Sequence, residues 1–374
     1  MAARTIRVPF VDLSHVNVPL REQLLTEFSS VLEQGNFVGG SEVEWFESAF
    51  AVYCGSARCV GTSSGLDALR LGLLAAGLKP GDEVIVPANT FIATFEAVVQ
   101  AGGRPVAVDV SEADYNLDVE AAAAAVTKRT TFLLPVHLYG QMADMRAIRR
   151  LAERHGLLIL EDACQAHGAE RDGLRAGSCG TAAAFSFYPT KNLGAAGDAG
   201  ALVTDDDAIA DLVRALRQHG EVEKYRSLRP GYTARLDTLQ ALVLSCKLPL
   251  LDDWNRERAE AADFYDEALA AVGDLQLPPR APESTPVWHL YVIRSARRDE
   301  LMAHLAEEGI ATGRHYPEPP HLSDAFGHLA EGPGSFPVTE RLADELLSLP
   351  LFPGIEREQL EAVADATRAF FGDG

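Results

Sequence analysis

The chain is short of positive charge. Its 33 lysines and arginines face 54 aspartates and glutamates, a net charge of -21 over 374 residues. So acidic a chain is a poor general partner for nucleic acid or anionic lipid. It lacks any run of 18 or more uncharged apolar residues, the length that a membrane span needs. The opening Met1-Ala-Ala-Arg-Thr-Ile-Arg-Val-Pro-Phe10 has no apolar stretch of the signal-peptide kind. Cysteine is scarce too: Cys54, Cys59, Cys164, Cys179 and Cys246 are an odd, scattered set without CxxC spacing, which points to a reduced, cytoplasmic setting. Cys164, His167 and Cys179 are too few and too irregularly spaced for zinc, so no metal is expected. There is no internal repeat. Lysine is the rarest charged residue, with Lys79, Lys128, Lys191, Lys224 and Lys247 the whole set, so a lysine inside a glycine-rich loop stands out.

What is present is globular: 47% of residues are apolar and 23% charged. At roughly 150 residues per domain the length suggests two domains. Short apolar runs at 58–61, 83–87, 105–110, 131–136, 157–161, 184–187 and 199–204 alternate with helical patterns at 65–76, 94–101, 119–126 and 145–155. Most of the runs are too uniformly apolar to have a wet face, as expected of strands covered by helices on both sides. The alternation predicts an α/β fold with a doubly wound, mostly parallel sheet, whose ligands sit beyond the carboxyl ends of the strands. Helices are expected before it at 20–33 and 41–52, and after it over 236–271 with a break near Pro249. A proline-rich joint at 277–286, a strand at 287–294 and a helix at 297–308 then make a smaller α+β part. The expected division is 1–230, an N-terminal segment with the large α/β domain, and 231–374, long connecting helices with the small domain.

Three stretches, each at a strand end, carry chemistry. Gly61-Thr-Ser-Ser-Gly65 lies between a strand and a helix, where small residues, hydroxyls and free helix N–H groups suit an anion; an ordinary capped turn is the plain alternative. Asp162 directly follows the most apolar strand and could hold a proton on a ring nitrogen, or simply cap the next turn. Lys191 follows the buried Phe185-Ser186-Phe187 and precedes a run of glycines. An amine held at a sheet's carboxyl edge and partly desolvated becomes a nucleophile, and Ser186 could add a phosphate donor. An anion cradle, an acid for a pyridinium nitrogen and a Schiff-base lysine, in that order, are the requirements of pyridoxal 5'-phosphate.

On these residues the chain resembles the sugar aminotransferases of the DegT/DnrJ/EryC1/StrS family, pyridoxal phosphate enzymes of fold type I. The specific motifs are 61–69, 81–87, 136–141, 161–168 and 185–191. The resemblance implies that Lys191 is the catalytic lysine, that Asp162 pairs with the pyridine nitrogen, and that Gln165 touches the ring hydroxyl. It assigns the phosphate to Ser63, Ser64 and Ser186, and the ring face to Phe91. It also implies a homodimer with sites at the interface. In the family a partner-subunit Asn completes the phosphate site in a Gly-Tyr-Asn-x-Arg motif. Here Thr233 stands in its place within Gly231-Tyr-Thr-Ala-Arg235, leaving Thr233 or Arg235 for that contact.

Arg214, Arg217, His219, Lys224, Arg226, Arg229 and Arg235 form a basic island in an acidic chain, either a solvated helix face or an attractor for a diphosphate. Candidates for the second substrate are Tyr188, Arg217, His219, Arg226 and Arg229, with His315 and Tyr316 in a loop that resembles one near the sugar in the family. The acids at 205–207 read as solvated caps. By resemblance the reaction moves an amino group from L-glutamate to a nucleotide-linked ketosugar, with C3 of a dTDP sugar favoured because residues 188–195 and Gly197-Asp-Ala-Gly200 resemble the C3 enzymes of the family, C4 or a pentose as alternatives, and secondary-metabolite aminosugar synthesis as the expected setting. A pyridoxal-phosphate sugar dehydratase and a non-catalytic regulator on the same fold are the competing readings. The presence of Lys191, Asp162, Gln165 and Ser186 together, without grouped cysteines for an iron–sulfur cluster, weighs against both.

Overall fold

In a computed structural model of the chain, described over residues 7–329 and 332–372, seven strands form the central sheet. They are β1 (Arg58–Thr62), β2 (Glu83–Pro87), β3 (Arg104–Val108), β4 (Thr130–Leu133), β5 (Leu158–Asp162), β6 (Ala182–Ser186) and β7 (Gly200–Thr204). Their order is β1-β7-β6-β5-β4-β2-β3. β2 to β6 pair in parallel, and β7 runs antiparallel to β1 and β6. This is the mostly parallel α/β sheet that the alternation predicts. Side chains alternate between the two faces, and both are covered. On one face Ala183 and Phe185 of β6 join Phe46, Phe50, Ile148 and Leu244 from helices Ser41–Cys54, Met145–His155 and Thr238–Lys247. On the other, Ala182 and Ala184 meet Leu69, Phe95 and Val213 from helices Gly65–Ala75, Ala93–Gln100 and Asp207–Arg217. Each fully buried Phe or Leu contributes about 1.5–3 kcal/mol. Phe50 shows how tightly they fit, with its ring centroid 5.0 Å from those of both Phe185 and Phe187, edge-on.

Of the acids after β7, Asp206 is the cap, its Oδ1 accepting from the N–H groups of Ala208 and Ile209 at 2.8 and 3.2 Å to open the helix Asp207–Arg217; Asp205 instead accepts from Ala57 N–H at 2.7 Å and Asp207 pairs with Arg58 at 2.6 Å. The expected break at Pro249 is a single 3-10 turn, Leu248–Leu250, between helices Thr238–Lys247 and Leu251–Ala268. Beyond it, β8 (Tyr291–Arg294) pairs antiparallel with β9 (Leu346–Leu349). Tyr265, Tyr291, Leu301, Leu347 and Val363 form a separate apolar cluster there, which Val8 joins through a bridge to Ile310. The strand expected from 287 starts later. Trp288 adopts a positive φ of 47°, and the N–H groups of Val287 and Leu290 bond to the carbonyls of Gly140 and Tyr139 at 2.9 and 3.3 Å. Residues 287–290 are therefore drawn over the sheet's carboxyl edge. Among the described residues no helix is long and apolar enough to cross a membrane.

Candidate active site

The carboxyl ends of β1, β2, β5 and β6 and the amino end of the antiparallel β7 converge on a cavity of about 380 Å³. Ser64, Phe91, Asp162, Gln165, Ser186, Tyr188, Lys191, His315 and Tyr316 all line it. Ser64 caps the helix Gly65–Ala75, its Oγ accepting from Asp67 N–H at 3.1 Å. The first N–H groups of that helix, which have no carbonyl of the preceding turn to bond, open on the cavity at Gly65 and Leu66. The backbone packs closely here. A Cβ on Gly200 would lie 2.3 Å from the Ser64 carbonyl, and one on Gly65 would lie 2.7 Å from Ser186 Cβ. Glycine at these two positions lets β6 and β7 close around the helix N-terminus, with Ser186 at the rim. The donor set and the positive end of the helix dipole suit a phosphate.

Asp162 ends β5 and is 6% exposed. Its Oδ2 accepts from the Thr94 hydroxyl at 2.8 Å and its Oδ1 from Cys164 N–H at 3.2 Å. Thr94 is in turn 2.7 Å from the Thr90 hydroxyl. The carboxylate is thereby oriented, and an oxygen has lone pairs to spare for a ring N–H. Gln165 is fixed at both ends: its Oε1 accepts from Tyr139 N–H at 2.7 Å and its Nε2 donates to Tyr316 Oη at 2.9 Å. Phe91 faces Tyr316 with ring centroids 5.3 Å apart. The next residue back along β5, Glu161, is fully buried and accepts from three main-chain N–H groups, Gly177 at 3.1 Å, Cys179 at 2.8 Å and Gly180 at 2.7 Å. His137 Nε2 completes its shell at 2.9 Å, so the strand end that carries Asp162 is tied down from below.

Lys191 is half-buried on the loop after β6. Burial lowers the proton affinity of its amine, while Cys164 and Asp162 raise it, leaving an amine more easily freed of its proton than one in water. The loop is held from the connecting helices: Lys247 Nζ donates to the Gly194 carbonyl at 2.8 Å, and Ala196 N–H donates to Gln240 Oε1 at 2.8 Å. His315, also at the cavity, is kept neutral by burial and then by the charge of Lys191, with its pKa pushed down to about 4.

Other sequence candidates lie elsewhere. The Ser63 hydroxyl donates to the Asp67 carboxylate, so it is turned away from the cavity. Arg217 is engaged inside the fold, its guanidinium donating to Glu47 and to the Gly61 carbonyl; it is not free for a substrate. His219 and Thr233 are exposed and 3.4 Å apart. Arg226 pairs with Glu223 at 3.2 Å on a small hairpin, Arg229 is exposed next to it, and Arg235 is half-buried beside β1. None of these lines the cavity. Sequence reading also missed residues that do. Thr94 sits in the same segment as Phe91, and His289 alternates with Trp288 along 287–290, yet neither has a local signal. Among the described residues no group of three or more His, Cys, Asp or Glu is placed to hold a metal ion. His167, singled out with Cys164 and Cys179, is buried against Phe185 and Phe187 at 5.4 and 5.7 Å, and burial pushes its pKa down to about 3.

Comparison with known proteins gives the family. The sequence profile of the DegT/DnrJ/EryC1/StrS aminotransferase family matches residues 19–368. The chain is 48% identical over 366 residues to a dTDP-3-amino-3,4,6-trideoxy-alpha-D-glucose transaminase of Streptomyces venezuelae, covering 98% of this chain and 97% of that protein. Among solved structures it is similar to S. venezuelae DesV in complex with a ketimine intermediate, at a TM-score of 0.96 and 48% identity, covering 98% and 99% of the two chains. It is also similar to NtdA of Bacillus subtilis with bound cofactor PMP, at a TM-score of 0.92 and 33% identity, covering 99% and 86%.

Proposed function

The chain belongs to the DegT/DnrJ/EryC1/StrS family and is a pyridoxal-phosphate-dependent sugar aminotransferase, and from that premise we propose that it moves an amino group from L-glutamate to C3 of a dTDP-linked ketosugar. The observation that carries the reading is the meeting, in one cavity, of a desolvated Lys191, an oriented Asp162 and the helix N-terminus at Ser64. When bound, pyridoxal phosphate supplies an electron sink for the carbanion left on loss of an α-proton. Ser64, Ser186 and the N–H groups of Gly65 and Leu66 bind its phosphate. Asp162, steadied by Thr94, keeps a proton on its ring nitrogen; Gln165 meets the ring hydroxyl and Phe91 covers the ring. Lys191 Nζ takes a proton from the donor's α-carbon in the first half-reaction and, in the second, delivers a proton to the acceptor's sugar carbon, a task suited to an amine whose proton affinity burial has lowered. Tyr188, His315 and Tyr316 face the sugar.

C3 is favoured because the S. venezuelae relative is named for a 3-amino sugar. The segment 219–235, with the exposed His219, Arg226, Arg229 and Thr233 and the half-buried Arg235, is assigned to the cavity of a second copy in a homodimer, where its positive charge would meet the nucleotide's phosphates. The large cofactor-binding part is taken as 1–230 and the connecting helices with the small part as 231–374. Incubation with glutamate and a panel of 3-keto and 4-keto nucleotide sugars, read by mass spectrometry and NMR, tests the assignment. The expected products are a 3-amino sugar nucleotide and 2-oxoglutarate; amination of simple 2-oxo acids alone would contradict it.

A further inference from the structure

Lys191 shares its cavity wall with His289, whose tautomer is dictated by two buried amides behind it. Asn255 Nδ2 donates to the main-chain carbonyl of His167 at 2.9 Å, so Asn255 Oδ1 is left as an acceptor. Asn192 Nδ2 donates to that oxygen at 2.8 Å and to the Val287 carbonyl at 2.7 Å. Both faces of the Asn192 amino group are then committed, and its Oδ1 meets His289 Nδ1 at 3.2 Å. An amide oxygen can only accept, so the proton of this contact belongs to Nδ1. Flipping the Asn192 amide would leave two buried acceptors, Asn255 Oδ1 and the Val287 carbonyl, without a donor, a costly state for groups shut off from water. His289 is 8% exposed. Burial first, and then the charges of Lys191 and Arg258, hold its proton affinity well below the ordinary value, so the ring stays neutral. A neutral ring with its proton on Nδ1 has a bare Nε2. With Nδ1 turned inward to Asn192, that nitrogen lies on the cavity side.

We propose that His289 is a positioning residue for Lys191, its bare Nε2 accepting a hydrogen bond from the free amine, with Asn192 setting the tautomer that makes this contact available. The imidazole gains no proton and loses none. It shares one of those on Lys191 Nζ and so favours the ammonium that exists after Lys191 has taken a proton. Asp162 and Cys164 favour the same charged form from the β5 side. The proposal rests on Lys191 as the reactive amine, though not on a bound cofactor.

The test uses the full chain freed of cofactor, with acetylation of Lys191 by acetic anhydride followed against pH by peptide mass spectrometry. In His289→Phe the midpoint should fall by about one to two pH units, the size of a hydrogen bond to a charged group. His289→Gln, which restores an acceptor, should return it close to the wild-type value. An unchanged midpoint in folded His289→Phe would overturn the proposal. Nitrogen-15 NMR of the wild-type histidines gives a second reading that needs no stable Phe variant. The His289 signal, identified by its loss in His289→Gln, should show a protonated Nδ1 and a bare Nε2, and a protonated Nε2 would overturn the proposal. A shifted midpoint in a protein that binds no pyridoxal phosphate would support this proposal and remove the transaminase reading.

Discussion

Replacing Thr94 with valine tests how Asp162 is held. Thr94 is 1% exposed, and its hydroxyl donates to Asp162 Oδ2 at 2.8 Å. Thr94→Val keeps the shape and deletes the donor. A hydrogen bond to a charged group contributes about 1.5–3 kcal/mol, and the added buried methyl returns about 0.8 kcal/mol, so the net loss is about 1–2 kcal/mol. Urea unfolding of the cofactor-free protein should show that loss directly. Cofactor binding should weaken as well, because a carboxylate held only by Cys164 N–H no longer points steadily at the ring nitrogen. Titration of pyridoxal phosphate, followed by its visible absorption, should give a Kd raised by about tenfold, equivalent to about 1.4 kcal/mol. Thr94→Ser should restore both. A valine variant with wild-type stability and wild-type Kd would refute the assignment of Thr94 as the group that orients Asp162.

Gly200→Ala would place a Cβ 2.3 Å from the Ser64 carbonyl, so the phosphate turn must shift; cofactor Kd should rise by at least about tenfold, equivalent to about 1.4 kcal/mol, while far-UV circular dichroism stays near wild type. Arg217→Met should lower unfolding stability by about 3 kcal/mol, because it strands the mostly buried Glu47 carboxylate, yet leave the sugar KM of the folded fraction unchanged; a raised KM without lost stability would return Arg217 to the substrate. Lys247 is 3% exposed, and burial pushes its pKa from 10.5 down to about 8. Between those values the unfolded chain binds the extra proton, so this group makes the fold more stable as pH rises through the window and carries its full penalty, about 3 kcal/mol, below it. Wild type should therefore gain about that amount of stability relative to Lys247→Met from neutral pH to pH above 10.5; a difference that does not change with pH would contradict it.

The sheet strands are legible in the sequence because strands covered on both faces read as short, mostly apolar runs, most fully in β2, where every residue is buried. Ser64, Asp162 and Lys191 are legible for a related reason: each follows such a run, and the carboxyl edge of a parallel sheet gathers whatever comes next. Thr94 is not, because its partner Asp162 is 68 positions away and the two meet only through the strand order. Arg217 misleads for the same reason. Its neighbours in sequence are basic, but the group that neutralises it, Glu47, lies 170 positions earlier. The role of His289 depends on Asn192, Asn255 and Val287 together, three segments whose hydrogen bonds have no trace in local spacing. The late start of β8 comes from the positive φ at Trp288 and bonds to Tyr139 and Gly140, which periodicity does not carry.

The central claim is that the Lys191 amine is the group that joins covalently to the cofactor. Borohydride reduction of the cofactor-loaded protein, followed by peptide mapping, tests it at the residue itself. The account predicts a stable pyridoxyl phosphate adduct on the peptide containing Lys191 and on no other lysine. An adduct elsewhere, or an unmodified Lys191 in protein that retains its visible band, would contradict it.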